Sequence, residues 1–182
     1  MKIIKIALLL TAVIYITGCA SGAKMENMAY KGEQKVYAQD LRQSVGLSGV
    51  SGGKRTNPAW TSEISDEAFS GAVKSSLEAQ GLLSDEGVYK LSVQLIKVEQ
   101  PLFGLDLEVK THVQYTLTNS TDSSIVFHET IVAPHTATFD DAFAAVKRLR
   151  LANEGSGMKN IEKFLEKLSE LKISENQISL ME

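Results

Sequence analysis

Ser51 lies in the one segment whose residue types and spacing are typical of a catalytic nucleophile. The segment Gly49-Val50-Ser51-Gly52-Gly53 has the G-x-S-x-G pattern of a serine held on a sharp turn between a strand and a helix. Such a serine attacks an acyl carbonyl when a histidine accepts its proton. Here a basic, proline-containing loop follows instead of a helix, so we interpret the segment as a Gly- and Ser-rich strand end. The alternative to this structural interpretation is a hydrolase or acyltransferase that uses Ser51 with one of the histidines.

Histidines and paired carboxylates are the other candidates for chemistry. The three histidines are His112, His128 and His135. His112 and His128 occupy positions of adjacent predicted strands whose side chains point away from the core, and neither has an acidic neighbour at metal-ligand spacing. Asp140 and Asp141 precede a predicted helix, where capping explains them. The sequence therefore predicts no catalytic residue, no metal site and no cofactor.

Cys19 is the only cysteine, and it follows a segment typical of a secretion signal. Residues 1–5 are short and basic, and residues 6–16 are almost wholly apolar, too few for the roughly 20 residues of a membrane-spanning helix. The run ends in Ile16-Thr17-Gly18-Cys19, which resembles the lipobox of bacterial lipoproteins. The resemblance implies a signal peptide at 1–18, a diacylglycerol thioether on Cys19 and acylation of its new amine. The alternative is a secreted protein with a chance cysteine.

Ala20 bears on where such a lipoprotein is sent. Several acyl chains on one residue bind a membrane firmly, and lipoproteins retained in the inner membrane of enteric-type bacteria carry Asp after the cysteine. The resemblance therefore implies a protein anchored in the outer membrane, with its domain in the periplasm. Loss of Lys2 and Lys5 with the signal lowers the net charge from −3 to −5. Residues 19–35 are polar and rich in small residues, and we predict that they form the lipidated cysteine and a flexible tether.

Four other side chains are candidates for binding a partner. Trp60 is the only tryptophan, and tryptophans anchor interfaces. Phe103 lies in a predicted hairpin tip rich in apolar residues. Arg148 and Arg150 belong to a basic patch that an acidic partner or a lipid headgroup would fit. Each also has a structural explanation: the aromatic rings cover the domain, and the arginines form a solvated, salt-bridged helix face.

Composition limits the classes of protein open to this chain. With 182 residues, 43% of them hydrophobic, the chain can bury the core of a single domain. A net charge of −3 gives no basic footprint for nucleic acid. One cysteine excludes a disulfide framework, and its lipidation would leave no thiol nucleophile.

Hydropathy patterns predict a single α+β domain over residues 36–171 and a frayed tail at 172–182. The predicted elements are a strand at 41–50, a helix capped by Ser65 and ended at Gly81, strands at 89–98, 105–117 and 125–133, and a long helix that follows a capping box at 138–141 and continues to about 171. The order β-α-β-β-β-α predicts an antiparallel sheet of about four strands with two helices on one face. Gly155 and Gly157 would let the long helix approach the sheet closely.

The lipobox and this architecture together resemble the accessory outer-membrane lipoproteins of Gram-negative bacteria. These include lipoproteins that assist lipopolysaccharide assembly and those auxiliary to lipid-transport ABC systems. Residues 56–64, 100–104 and 148–155 look like segments of uncharacterised bacterial lipoproteins. Some such chains carry a UDP-N-acetylglucosamine acyltransferase name, but those enzymes are similar to left-handed β-helices built on hexapeptide repeats, and this sequence has none.

The leading hypothesis is a non-enzymatic, lipid-anchored protein that binds an envelope protein or a lipid beneath the outer membrane. The predicted anchor and tether favour it, together with the context of the candidate catalytic motifs. The hydrolase or acyltransferase stays the alternative, and a phage- or plasmid-derived surface protein is a third possibility.

Overall fold

The structure, a computed structural model, describes residues 20–58 and 61–172. The predicted signal peptide, Cys19, Trp60 and residues 173–182 of the predicted tail lie outside the described residues. The helices and strands, in chain order, are α1 (Met25–Met28), β1 (Val45–Ser51), α2 (Asp66–Ala79), β2 (Tyr89–Glu99), β3 (Leu107–Asn119), β4 (Ile125–Ala137) and α3 (Ala145–Glu170), with a 3-10 turn at Gln39–Leu41 before β1. The predicted α+β architecture is confirmed.

The four strands form one sheet in the order β1-β2-β3-β4. β2, β3 and β4 pair antiparallel, as the alternating sequence predicts. The pairing of β1 differs from the prediction, because β1 runs parallel to β2 with Val45 opposite Tyr89 and Ser51 opposite Gln94. Helix α2 connects these two strands and returns the chain to the end where β1 began, and such a crossover connects parallel neighbours.

Helix α2 begins and ends where local signals place it. The Ser65 hydroxyl accepts a hydrogen bond of 3.2 Å from the Ala68 amide, which satisfies one of the free donors of the first turn. Ile64 and Phe69 are both buried, as expected of a hydrophobic staple. Gly81 follows with a φ of +68°, the left-handed conformation common after a helix.

Helix α3 begins at Ala145, several residues after the predicted capping box. The Asp141 carboxylate does accept hydrogen bonds from the Thr138 amide and hydroxyl, at 2.7 and 2.9 Å. However, the Arg148 guanidinium donates to the carbonyls of Ala142 and Phe143, both at 2.7 Å. These carbonyls are therefore used by a side chain, and the α-helix starts only beyond them.

The core lies between the sheet and the helices. The ring of Phe164 stacks on Tyr115 at a centroid distance of 4.1 Å and meets Phe127 edge-on at 5.8 Å. Burial raises the pKa of the Tyr115 hydroxyl, so that it stays a donor, and it donates to Asn160 Oδ1 at 2.9 Å. The contact between helix α3 and the sheet thus combines aromatic packing with a buried hydrogen bond.

Gly155 lets helix α3 approach the sheet closely, as the sequence predicts, whereas Gly157 lies against helices α1 and α2 and not against the sheet. A methyl group on Gly155 would overlap the imidazole of His135, and one on Gly157 would lie 2.9 Å from Met28 Sδ. Only a hydrogen atom fits at these two helix positions without movement of the neighbours.

We expect Gly155→Ala to destabilise the protein by about 1–2 kcal/mol, because the imidazole of His135 must leave its position. In a His135→Ala background the same change should be neutral or stabilising by up to about 1 kcal/mol, the ordinary advantage of Ala over Gly in a helix. Urea unfolding of the four proteins measures the difference. Stabilisation by Gly155→Ala in both backgrounds would contradict the packing described here.

Residues 20–35 pack on the domain, so the prediction of a flexible tether is wrong for this segment. The Lys24 amide and Asn27 Nδ2 donate to the two carboxylate oxygens of Glu154 at 3.0 and 2.8 Å, and the Tyr30 amide donates to Ser76 Oγ at 2.8 Å. The buried residues of the segment are Ala20, Ala23, Met28 and Ala29. Small side chains let this backbone lie against the helices, and the folded domain therefore begins close to Cys19.

Candidate functional site at one end of the domain

The first described residues are fixed on the loop that joins β1 to α2. The Ala20 amide donates to the Pro58 carbonyl at 2.8 Å, and the Ala23 amide donates to the Glu63 carbonyl at 2.9 Å. The Ser62 hydroxyl donates to the Ser21 carbonyl at 2.8 Å. Cys19 precedes Ala20, so any lipid on its sulfur is attached one residue, about 3.8 Å along the backbone, from this fixed point.

A buried amide network joins that loop to the end of β2 and to helix α3. Gln100 Nε2 donates to the Ser62 carbonyl at 2.9 Å and to Asn153 Oδ1 at 3.0 Å. Asn153 Nδ2 donates to the same Ser62 carbonyl at 2.8 Å. Segments 56–64, 100–104 and 148–155 therefore meet here, each contributing one member. Sequence reasoning missed this contact, although Asn153 on the inward face of a predicted helix was a signal for it.

The hairpin tip between β2 and β3 faces outward. Leu102 is 96% exposed, Phe103 is 89% exposed and Leu105 is 72% exposed. Of the two possibilities for this apolar tip, inward folding is therefore excluded. A partner-binding role for Phe103 stays a prediction, now with an accessible side chain.

The loop between β4 and α3 adds aromatic rings beside this tip. The rings of Phe139 and Phe143 meet edge-on at 5.8 Å, and Phe143 is 86% exposed. The Phe139 amide donates to Asp106 Oδ1 at 3.1 Å, which joins the loop to the hairpin. We call the side chains of Leu102, Phe103, Leu105, Phe139 and Phe143 the apolar end patch.

Arg148 supports the two loops from inside, which corrects the prediction that it binds a partner. The residue is only 4% exposed. Besides its bonds to Ala142 and Phe143, it donates from Nη2 to the Gly104 carbonyl at 3.5 Å, and its guanidinium lies 5.3 Å from the Phe139 ring centroid. Its charge is therefore directed to the backbone of both loops and not to the surface.

Arg150 is also engaged within the chain. Its Nη1 donates to Ser21 Oγ at 2.6 Å, and its Nε lies 3.5 Å from Glu154 Oε1. Glu154 is buried and accepts from Lys24 and Asn27 as well, so the pair of charges holds the first residues of the domain against helix α3. We therefore assign Arg150 a structural role, so that both arginines of the predicted basic patch have partners within the chain.

Ser51 and two of the histidines lie away from this end patch. Ser51 ends β1, and the next helix begins only at Asp66, so the strand-turn-helix context of a nucleophile elbow is not met. On the outer face of the sheet, His112 Nε2 lies 3.2 Å from Glu99 Oε1, and His128 Nδ1 lies 3.0 Å from Thr116 Oγ1. Within residues 20–58 and 61–172, no group of three His, Cys, Asp or Glu side chains is placed to hold a metal ion.

His135 lines an open cavity of about 540 Å³ between β4 and helix α3. Burial lowers the pKa of its imidazole, the Lys159 ammonium lowers it further, and the Asp141 carboxylate acts in the opposite direction. The other lining residues are Asn27, Thr136, Ala137, Asp141, Leu151, Glu154 and Gly155. Asn27 and Glu154 are hydrogen-bonded to each other, so the N-terminal segment forms one edge of the cavity.

The lowered pKa of His135 predicts a stability that falls on mild acidification. The unfolded chain binds a proton on this imidazole near pH 6.5, whereas the folded protein binds it only at lower pH. The contribution is complete above about pH 6.5 and is lost as the pH falls toward the folded pKa. We expect the melting temperature of His135→Gln to fall less than that of the wild type between pH 6.5 and 5. Most carboxylates titrate below this window. Equal slopes for wild type and variant would contradict this.

In the part of the chain that the structure describes, no helix is both long enough and apolar enough to cross a membrane.

Comparison with protein-family models finds no match, and comparison with curated proteins finds none either. Comparison with solved structures does find similar chains. Protein XCC0632 from Xanthomonas campestris, of the DUF330 family, has a TM-score of 0.52 at 12% identity over 74% of this chain and 90% of that chain. The hypothetical protein CT253 from Chlamydia trachomatis has 0.52 at 8% identity over 71% and 97%. A minor lipoprotein from Acinetobacter baumannii has 0.47 at 11% identity over 71% and 94%. The likeness to the first two, at a TM-score of 0.52 and at these low identities, is one of fold alone.

Proposed function

We propose that this chain is a lipoprotein of the bacterial envelope, anchored in the outer membrane through acylated Cys19, whose periplasmic domain binds an envelope protein or a lipid without catalysing a reaction. The observation that carries the proposal is the position of the lipobox cysteine. It directly precedes a residue, Ala20, that is fixed at the same end of the domain as an exposed apolar patch.

The packing of residues 20–35 on the domain supports a binding function at the membrane surface. A flexible tether of about 15 residues would let a domain range up to about 50 Å from its anchor. Here the hydrogen bonds of Ala20, Ser21 and Ala23 remove that freedom. A lipid on Cys19 would therefore keep the domain against the bilayer, and the domain would bind its partner there.

A binding role also fits the kind of surface that the domain presents. Contiguous exposed apolar side chains mark sites that bind a protein, a membrane or another ligand. Beside the patch, Arg148 donates hydrogen bonds to loop carbonyls, and Arg150 donates to Ser21 near the start of the domain. That arrangement stabilises a preformed surface, which lowers the ordering cost when a partner binds.

Separation of inner and outer membranes by density, from Gram-negative cells that produce the full chain, tests the location. We expect the wild-type protein in the outer-membrane fraction and Ala20→Asp in the inner-membrane fraction, since Asp after the cysteine is the retention signal. Ala20→Ser is the matched control, because it is a small polar change at the same buried position, and it should leave the protein in the outer membrane. A soluble wild-type protein, or one confined to the inner membrane, would contradict the proposal.

A further inference from the structure

We propose that the apolar end patch inserts into the acyl region of the same membrane leaflet that holds the lipid of Cys19, so that the domain stands on the bilayer on its hairpin tip. The inference rests on the proposed lipid anchor and adds to it a second, direct contact of the folded domain with lipid. The occupant of the patch is thus a lipid surface.

The first support is the composition and exposure of the patch. Two leucines and three phenylalanines come from two loops that a hydrogen bond between Phe139 and Asp106 holds together. Four of the five side chains are at least 72% exposed, and Phe139 is 44% exposed. Apolar side chains of this size gain from leaving water for the acyl boundary of a bilayer.

The second support is where the chain enters the domain. The Ser21 carbonyl accepts from Ser62, and the Ser62 carbonyl accepts from Gln100, which is the last residue before the hairpin tip. Two hydrogen bonds therefore connect the start of the domain to the base of the patch. The patch and a lipid on Cys19 can reach one bilayer together, and the anchor holds the patch at a high effective concentration of lipid.

The third support is the asymmetry of the whole domain along its strands. β2 ends, β3 begins, β4 ends and α3 begins at the end that carries the patch. The opposite end of β3 leads into residues 120–124, which are Ser, Thr, Asp, Ser and Ser. Thirteen residues of strand separate the two ends by about 44 Å, at roughly 3.4 Å per residue. The hairpin loop at one end is therefore rich in large apolar side chains, whereas the hairpin loop at the other end is polar.

Charge does not supply the attraction at this patch. Asp106 and Asp140, which border it, are exposed carboxylates, and Arg148 is buried beneath it. Contact with the membrane is thus driven by apolar burial. We expect it to change little between low and high salt, unlike the binding of a basic protein to anionic lipid.

The test uses the full lipidated chain in vesicles of phosphatidylethanolamine and phosphatidylglycerol with brominated acyl chains, which quench nearby fluorophores. Cysteines for a bimane label are introduced by Leu102→Cys and Phe143→Cys in the patch. The matched control is Thr121→Cys, an exposed site at the opposite end of β3. These labels are specific because the one natural cysteine is consumed by the lipid. We expect quenching several-fold stronger at both patch sites than at residue 121, at low and high salt.

Flotation of the vesicles separates the failure of this inference from the failure of the proposed function. If the protein floats and all three labels are quenched equally weakly, the patch does not enter lipid and this inference is overturned while the anchor stands. If unlabelled Leu102→Cys instead forms a disulfide between two copies when an oxidant is added, the patch is an interface between copies, and the inference is likewise overturned. If the protein does not float, the proposed anchor is wrong and the inference falls with it.

Discussion

Cys19→Ser should abolish the incorporation of radiolabelled palmitate into this protein, from full labelling to background. A serine hydroxyl cannot form the thioether to diacylglycerol, and the lipobox signal then gives no substrate for cleavage. We therefore expect the uncleaved 182-residue precursor of 19.8 kDa to accumulate. The effect is large because, on the proposed function, every acyl group is attached at Cys19, and several acyl chains at about 0.8 kcal/mol per buried CH₂ would also supply most of the membrane affinity.

Thr17→Ser is the control for this experiment. It keeps a small side chain two residues before the cysteine and should leave both labelling and cleavage unchanged. Palmitate incorporation that persists in Cys19→Ser would place the lipid elsewhere, and the proposed anchor would be wrong. Loss of labelling in both variants would indicate that the segment, and not the thiol, limits processing.

Asn160→Ala should lower the free energy of unfolding by about 3 kcal/mol, which corresponds to a fall in melting temperature of about 6–12 °C for a chain of this size. The Asn160 amide donates to the carbonyls of Thr111 and Ile131 at 3.0 and 2.9 Å, and it accepts from the buried Tyr115 hydroxyl at 2.9 Å. Alanine leaves all three groups buried and without this partner, and each unpaired group carries a desolvation cost. Thermal or urea unfolding measures the loss.

Lys163→Ala is the matched control on the same helix. Its ammonium donates to the Val132 carbonyl at 2.9 Å from an exposed position, so its removal should cost no more than about 0.5 kcal/mol. In addition, Tyr115→Phe combined with Asn160→Ala should cost less than the sum of the two single changes, because they share one hydrogen bond. Additive losses, or equal stability of Asn160→Ala and Lys163→Ala, would contradict the role of this network.

Elements whose signals are local were predictable from the sequence. Ser65, the acidic first turn, the staple of Ile64 with Phe69 and the terminal Gly81 all act within a few residues of helix α2, and all were found in place. Alternation along β2, β3 and β4 depends equally on near neighbours, because one face of each strand is buried. The sequence therefore predicted both the elements and the face that packs on the core.

Features that depend on distant residues were not predictable in the same way. Residues 20–35 resemble a tether in composition, and only the surfaces of helices α2 and α3 reveal that Met28 and Ala29 have somewhere to be buried. Charge patterning predicted that Arg148 lies on a surface. In the structure it is buried and donates hydrogen bonds to the carbonyls of Ala142 and Gly104, the second of which is 44 residues away in the sequence. The parallel pairing of β1 follows from the crossover through α2, a consequence of connectivity and not of the strand's own residues.

Intact-mass analysis of the protein purified from native membranes tests the central claim most directly. If the domain is held at the membrane by Cys19, the chain should begin at that residue and carry the added mass of a diacylglycerol thioether and an amide-linked acyl chain. A chain that begins elsewhere, or one with a free Cys19 thiol, would contradict the claim.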